Sequence, residues 1–298
     1  MSASALPLRA RPVRANAGRL VRRRVSSGIM IALTFLAAAV AVVPLVVILA
    51  YLIKEGAGSL SLGFFTHMPR PAGEPGGGMA NAIAGSLILV GVASVIGLPV
   101  GIGAGLYLAE HKGTKLAELV RFLADVLNGL PSIVMGIFAW EFLVKPLGHF
   151  SALAGGAALG AMMVPLVTRT TEEMVRTVPQ SLREAALALG YPRWRTSLQI
   201  VLRTALGGII TGVLVAVARI AGETAPLLFT VIGNQFWSTD LTQPVAALPL
   251  QIYTYATGPY DDWHAQAWAG SLVLIGLVLI ISVIARVMTR ARHGGGSD

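Results

Sequence analysis

The feature that most constrains this chain is a set of long apolar stretches that are almost free of charge. The first runs for 29 residues, from Val25 to Ile53, without an Asp, Glu, Lys, Arg or His. Because a bilayer core about 30 Å thick takes roughly 20 apolar residues as helix, such a stretch is long enough to cross a membrane. With 55% hydrophobic and 12% charged residues, the 298-residue chain has the composition of a polytopic membrane protein.

Six such stretches predict an all-α fold with six transmembrane helices. The first is too long for the apolar region of a signal peptide, about 7 to 15 residues, so residues 25–53 are predicted to be an uncleaved membrane helix. The other five belong to a transmembrane domain at residues 79–288. They lie between Glu74 and Glu110, between Asp125 and Glu141, between His149 and Arg169, from Thr204 to about Trp237, and from Ala265 to Ala285.

The distribution of basic residues predicts that both termini are cytoplasmic. With the N-terminus inside, nineteen of the 23 Lys and Arg fall in cytoplasmic segments, and only Lys54, Arg70 and Lys145 in external ones. Residues 1–24 are predicted to be a disordered, Arg-rich cytoplasmic arm attracted to anionic membrane lipid, and residues 289–298 a flexible cytoplasmic tail. The net charge of +9 is thus explained by membrane topology, and no nucleic-acid partner is expected.

The sequence offers no signal for chemistry of its own. It has no cysteine, its five histidines are scattered, and it lacks a G-x-x-x-x-G-K-[ST] phosphate loop. We therefore expect no metal site, no cofactor bound by this chain and no enzymatic activity. Any energy that its function requires would have to come from elsewhere.

A polar segment of 33 residues, 171–203, interrupts the apolar pattern and carries helix signals. Ser181 to Glu184 reads S-x-x-E, the sequence of a capping box at a helix N-terminus. Gly190 can end that helix because glycine adopts positive φ without strain, and Pro192 suits the first turn of another. The segment predicts two short helices on the cytoplasmic surface. They either dock a soluble partner or lie on lipid as an interfacial pair.

Small residues at spacings of four predict two close helix contacts. Gly97, Gly101 and Gly105 form one row in the second predicted helix, which we interpret as a packing seam. Gly208, Gly212 and Ala216 form another row in the fifth. That row is expected to border a path through the membrane or a second subunit.

Arg219 and Glu223 are the only charged residues in the fifth apolar stretch. Four positions apart, they share a helix face and can pair. A charge facing lipid costs about 2.5 to 3.5 kcal/mol, so the pair is expected to face protein or water. Either it only fixes helix packing, or Arg219 offers an anion its bidentate guanidinium while Glu223 restrains it. Arg169 also has two interpretations. It either anchors its helix at the membrane interface or marks the inner exit of a pathway for the anion.

Several motifs resemble known transporter families. Glu184-Ala185-Ala186-x-x-x-Gly190, followed by Ile200-Val201-Leu202, resembles the EAA loop of permease subunits in bacterial ABC importers. The stretches 218–230, 234–238 and 169–172 are similar to the A-type permease subunits of bacterial phosphate-specific transport systems. The resemblance covers roughly residues 80–290. Arg203 stands where the wider family often has proline.

This resemblance implies a type I ABC importer permease with a MetI-like core in the bacterial cytoplasmic (inner) membrane. It would translocate inorganic phosphate into the cytoplasm. The implied partners are a C-type phosphate permease subunit that completes a hetero-dimeric pore, an ATPase dimer that uses ATP and Mg, and an external phosphate-binding protein. The ATPase would dock on coupling helices within 171–203, at Ser181, Glu184, Ala185, Ala186, Gly190 and Pro192. The implied pathway residues are Arg219, Glu223 and Arg169.

Two other classes of function are weighed against this one. An ion-coupled secondary carrier or channel for an anion could use Arg219, Glu223 and Asp125 as a relay. Such carriers often contain internal repeats, and no convincing duplication is visible here. An integral membrane enzyme would need a catalytic constellation, and we find none.

Overall fold

The computed structural model of the chain describes residues 17–71, 73–74 and 76–293, and all regular elements in this part are helical. The chain divides into two compact units, residues 1–51 and 52–298. The helices, in chain order, are α1 (Ala17–Gly56), α2 (Leu62–Thr66), α3 (Ala80–Glu110), α4 (Lys115–Gly129), α5 (Ser132–Ala139), α6 (Lys145–Leu147), α7 (Ala152–Arg176), α8 (Gln180–Ala188), α9 (Arg193–Arg195), α10 (Leu202–Ala221), α11 (Ala225–Thr230), α12 (Leu248–Ala256) and α13 (Asp261–His293).

Two π-helical segments and one 3₁₀ turn complete the helical elements of the described chain. The 3₁₀ turn Ala57–Ser59 follows α1. The π segment Trp140–Val144 joins α5 to α6, and the π segment Thr196–Val201 joins α9 to α10. The second joint makes Arg193–Ala221 a continuous helical stretch.

Five helical stretches are long and apolar enough to cross a membrane, and α4 with the stretch from α5 to α6 gives a sixth if that bent pair counts as one span. The prediction of an all-α membrane fold is therefore confirmed. The prediction of one continuous third helix between Asp125 and Glu141 is wrong, because this region belongs to two helices. Its two parts meet at 105°. Leu130 is extended, with ψ of 136°, because the following Pro131 disfavours helical geometry there.

Both ends of the described chain are more helical than expected. α1 begins at Ala17, so residues 17–24 of the predicted disordered arm are helix, in keeping with the good helix propensity of Ala, Leu and Arg. Residues 1–16 of that arm lie outside the described residues. At the other end α13 continues to His293, so 289–293 are helical, and the rest of the predicted tail also lies outside the described part.

The centre of the 52–298 unit is the contact between α3 and α7, and the predicted glycine seam is confirmed. A Cβ added at Gly97 would meet the carbonyl of Gly160 at 3.0 Å. One at Gly105 would come within 2.6 Å of the Thr168 carbonyl. The two backbones are thus in near contact, which only glycine permits. Leu89, Ala93, Leu159, Met163 and Val167 fill the adjoining core.

The second small-residue row has a different neighbour from the one predicted. A Cβ at Gly208 would collide with Met174, and one at Gly212 would lie 2.6 Å from Thr170, both on α7. Ala216 is fully buried in the same core. The row therefore packs α10 against α7 within this chain.

The α3–α7 seam predicts opposite effects for two glycines on α3. Gly105→Ala should destabilise the purified protein by about 1 to 3 kcal/mol because its Cβ meets backbone atoms that cannot move aside. Gly103→Ala, which meets nothing within 4 Å, should be neutral or slightly stabilising, as alanine is the better helix former. Thermal unfolding of the two variants in the same detergent compares them. Equal melting temperatures would contradict the seam.

Candidate functional site

The first helix of the polar segment is present, but its predicted capping box is not. α8 starts at Gln180 with Pro179 at the N-cap position, and no side chain caps it. Ser181 is already the second residue of the helix, so its hydroxyl cannot serve as the cap that S-x-x-E predicts. Pro179 fixes the start instead, because its extended backbone cannot continue the preceding chain as helix.

The end of α8 confirms the role predicted for Gly190. Its φ is +84°, in the left-handed region. The N–H of Gly190 donates to the carbonyl of Leu187 at 3.0 Å, and the N–H of Tyr191 donates to that of Ala186 at 3.2 Å. These two bonds form a Schellman motif, which satisfies the last carbonyls of the helix. A residue with a Cβ would be strained at this point.

The second predicted short helix is instead the beginning of a spanning helix. Pro192 is the N-cap of α9, one position before its predicted place. From Arg193 the chain continues through the π segment Thr196–Val201 into α10 without a break. Arg203 contributes to this continuity, because it retains the backbone N–H that a proline would lack. A continuous helical stretch therefore joins the polar segment to α10.

α8 is attached to the bundle through one arginine and one alanine. Arg183 pairs with Glu110 at the end of α3, and it also donates to the Val175 carbonyl of α7 at 3.2 Å. Ala186 is buried against the protein, whereas Glu184 and Ala185 face outward. Glu110 and Arg183 were not predicted as a pair, because 73 residues separate them.

The outward side of this region carries exposed apolar side chains, which Leu189 exemplifies at 79% exposure. A cluster of exposed apolar side chains is typical of a surface that contacts another protein or the membrane. The same region exposes Leu182, Leu187, Tyr191, Trp194 and Leu198.

The fifth predicted span is a broken helix, and Arg219 lies at the break. α10 ends at Ala221 and α11 begins at Ala225, so Glu223 lies in the connection and not on the helix face predicted for it. The Nε of Arg219 and the Oε1 of Glu223 are 3.9 Å apart. The pair is thus loose, and the Arg219 side chain remains 52% exposed.

The register of α10 on α7 places this break within the thickness of the bundle. Gly208 lies beside Met174 and Gly212 beside Thr170, so the two helices are antiparallel. Extending that register puts Arg219 level with Met163, about 16 Å along the axis from the start of α7. A broken helix at such depth is tolerated only where it lines protein or a water-filled cavity. Arg219 also complements the negative end of the α10 dipole.

Arg219 stands on an outward stripe of α10 that the described residues of the 52–298 unit leave exposed. The exposed positions Thr204, Thr211, Val215 and Arg219 follow helical spacing along it. The guanidinium on this stripe is unsuited to lipid, whereas the hydroxyls of Thr204 and Thr211 donate to carbonyls within the helix. The stripe can instead face a polar path or another subunit.

Arg169 is not brought together with Arg219. Six residues of helix rise separate their levels, about 9 Å along the axis. The Nη2 of Arg169 donates to the Oδ1 of Asp125 on α4 at 2.8 Å. Asp125, which bounds the third predicted stretch, lies inside α4. Glu141, the other predicted helix end, pairs with Lys145.

Glu172 is the charged residue that sequence reasoning missed as a site. Its side chain is only 1% exposed, and its Oε1 accepts from Arg121 at 2.7 Å and from Arg176 at 2.5 Å. Arg176, four positions on, was a visible helical partner. Arg121, 51 positions away, could be found only from the fold.

The segment between α11 and α12 carries acidic and aromatic groups at the end of the bundle opposite α8. The backbone N–H and hydroxyl of Thr242 donate to Asp240, and these bonds lower the pKa of that carboxyl below its ordinary value. Like any surface carboxylate at neutral pH, Asp240 repels a free anion. No metal-binding group of three His, Asp or Glu side chains occurs among the described residues.

The sequence matches the family model described as "Binding-protein-dependent transport system inner membrane component" over residues 97–293. The "Phosphate transport system permease protein PstA" of Yersinia pestis is 51% identical over 245 residues, which cover 82% of this chain and 83% of that protein. The protein of the same name from Haemophilus influenzae is 43% identical, over 90% and 95% of the two chains. PstA 1 of Mycobacterium tuberculosis is 37% identical, over 92% of each.

Two solved structures share the fold at low sequence identity. An inward-facing MetNI methionine ABC transporter matches with a TM-score of 0.57 at 20% identity, over 71% of this chain and 92% of that one. A bacterial alginate ABC transporter in complex with an alginate-bound periplasmic protein matches with a TM-score of 0.64 at 14% identity, over 95% and 100%. Both likenesses concern the arrangement of helices.

The structure of α8 predicts that Gly190 matters to its stability and Ser181 does not. Gly190→Val should increase amide hydrogen exchange in α8 because a β-branched residue at φ of +84° costs about 1 to 3 kcal/mol. Ser181→Ala should leave that exchange within twofold, whereas loss of a true cap would cost about 1 kcal/mol. Gly113→Val, at φ of +77° in another turn, controls for distant strain. Faster exchange in the Ser181 variant would instead support the capping box predicted from the sequence.

Proposed function

Because the chain belongs to the family of binding-protein-dependent transport system inner membrane components, and within it to the PstA phosphate permeases, we propose that it forms half of a phosphate-importing pore. It is a multi-pass inner-membrane permease subunit of an ABC importer. Phosphate crosses unchanged, and ATP is hydrolysed by a separate ATPase. The Lys and Arg distribution supports cytoplasmic termini and a cytoplasmic position for α8.

The observation that carries a pathway role is the half-exposed guanidinium of Arg219 at the break between α10 and α11. A permanently charged group at this depth needs a polar neighbour, and Glu223 at 3.9 Å supplies only a loose one. A dianion can therefore compete with Glu223 for Arg219 without first breaking a tight bidentate pair. Arg169 is a weaker candidate, because Asp125 already accepts from it at 2.8 Å.

One chain leaves the outward stripe of α10 open, and we assign its cover to the partner permease. A homologous C-type subunit would close the pathway across Thr211, Val215 and Arg219. An external phosphate-binding protein would deliver the substrate, since Asp240, Asp261 and Asp262 at that end do not attract a free anion.

The ATPase is proposed to act through α8 and the start of α9. The exposed Leu182, Leu189 and Trp194 offer an apolar docking surface, and the small Ala185 allows close approach. Arg183 ties this surface to α3 and α7, and the continuous helix from Arg193 ties it to α10. ATP-driven movement of the docked subunits can thus tilt three spanning helices together.

Replacing Arg219 tests the pathway assignment. Arg219→Gln should lower phosphate uptake by the reconstituted complex at least tenfold while the subunits still co-purify, because the amide keeps polarity but not charge. Arg203→Gln, at an exposed position near the other end of α10, is the matched control and should retain uptake within twofold. Normal uptake by the Arg219 variant would reduce the residue to a packing role.

Replacing Leu189 tests the docking surface. Leu189→Asp should prevent co-purification of the ATPase with the permease, since it places a charge in an apolar contact. Leu189→Met, which conserves volume and apolarity, should retain it. ATPase recovery from membranes containing the Asp variant at the wild-type level would show that the docking surface lies elsewhere.

A further inference from the structure

α4 is held to the bundle by charges more than by apolar contact. Of its 15 residues only Ala117 and Ala124 are buried, and both are small. Most of its large apolar side chains, including Leu119 and Phe122, are exposed, and Val120 and Leu127 are half-buried. Two methyl groups define the position of a helix along its neighbour poorly, because sliding by a turn exchanges one shallow contact for another.

Two ion pairs join α4 to α7, and their polarity alternates. Arg121 on α4 pairs with Glu172 at 2.7 Å, and one turn later Asp125 pairs with Arg169 at 2.8 Å. We call these two pairs the α4–α7 charge ladder. If α4 slid by one turn, either Asp125 would face Glu172 or Arg121 would face Arg169. Since both shifted registers bring like charges together, the ladder specifies one register.

The Arg121–Glu172 pair is the stronger of the two ion pairs in the ladder. The Glu172 carboxylate is 1% exposed and pairs with both Arg121 and Arg176. Loss of either arginine would leave this buried charge less well compensated. The Asp125–Arg169 rung is about half exposed at both side chains, and solvent weakens it. The ladder therefore consists of one buried ion pair and one ion pair that solvent weakens.

The ladder lies between the α8 attachment and the broken span. On one side, Arg176 of the Glu172 cluster adjoins Val175, whose carbonyl accepts from Arg183 of α8. On the other side, α4 leads through the 105° bend into α5. There a Cβ at Gly136 would meet Pro226 of α11 at 2.7 Å, so α5 and α11 are in backbone contact. α11 begins two residues after Glu223.

We propose that the α4–α7 charge ladder is the register lock that keeps α4, and with it α5, in step with α7 when α8 moves. Arg121, Asp125 and Glu172 are positioning residues in this account, and none of them contacts the substrate. The inference rests on the proposed function, and it adds a requirement. With the ladder intact, each ATP hydrolysed moves α5 and α11 together with α7. With the ladder broken, α7 moves while α4 slips, and ATP is hydrolysed without transport.

The test measures ATP hydrolysis and phosphate uptake in the same proteoliposomes containing the whole complex. Arg121→Glu places two carboxylates against each other and should lower phosphate transported per ATP at least tenfold, with ATP hydrolysis retained within about twofold. Arg121→Lys keeps the charge and should restore most of the ratio. Lys115→Glu reverses a charge on the same helix outside the ladder and should leave the ratio unchanged. Asp125→Asn removes one rung without adding repulsion and should lower the ratio less than Arg121→Glu.

Distinct outcomes separate this proposal from the proposed function. A parallel loss of hydrolysis, uptake and assembly in both Arg121→Glu and Asp125→Asn would make the ladder merely structural and overturn the lock. A normal transport ratio in those two variants, or an equal loss in Arg121→Lys, would overturn it as well. If the wild-type complex hydrolyses ATP without phosphate uptake, the proposed function fails before the ladder is tested.

Discussion

The rest of the structure depends on the near contact of the α3 and α7 backbones. Gly97, Gly101 and Gly105 remove the side chains that would hold these helices apart. Without a hydrophobic driving force between helices in lipid, such close packing is a main source of association. α7 is then free on its remaining sides to receive α4, α5, α10 and α11. The positions of the helices that carry the candidate functional residues therefore depend on how each of them packs on α7.

Charge pairing within this scaffold follows burial. Glu172 is enclosed and has two arginines, while Arg219 is half exposed and has one loose partner. A buried ion pair contributes little net stability, but removing one member is costly, so it fixes geometry well. The loose pair at the helix break is the opposite case, since its partner can be exchanged. The fold thus distinguishes charges that hold helices from charges that remain available.

The sequence predicted features that depend on local chemistry. The length of the apolar runs, the glycine seam and the left-handed Gly190 all follow from spacing or from one residue type. It failed where a neighbour decided the outcome. Pro131 divides the third predicted span into two helices, and Pro179 takes the N-cap position predicted for Ser181. Gly222 is the C-cap of α10, so the helix ends before it reaches Glu223. The pairs Arg121–Glu172 and Glu110–Arg183 join residues 51 and 73 positions apart, and no local signal specifies such contacts.

The π segment Thr196–Val201 determines the direction in which distant side chains point. Each α-helical residue turns the chain by about 100°, and a single-turn π bulge amounts to one residue beyond a regular helix. All side chains after it are therefore rotated relative to those before it. Arg219 lies about 30 Å further along the same helical rod. The direction of the guanidinium relative to the docking surface is thus set by the winding of this π segment. A deletion of one residue there would turn the docking surface by roughly 100° relative to the outward stripe of α10.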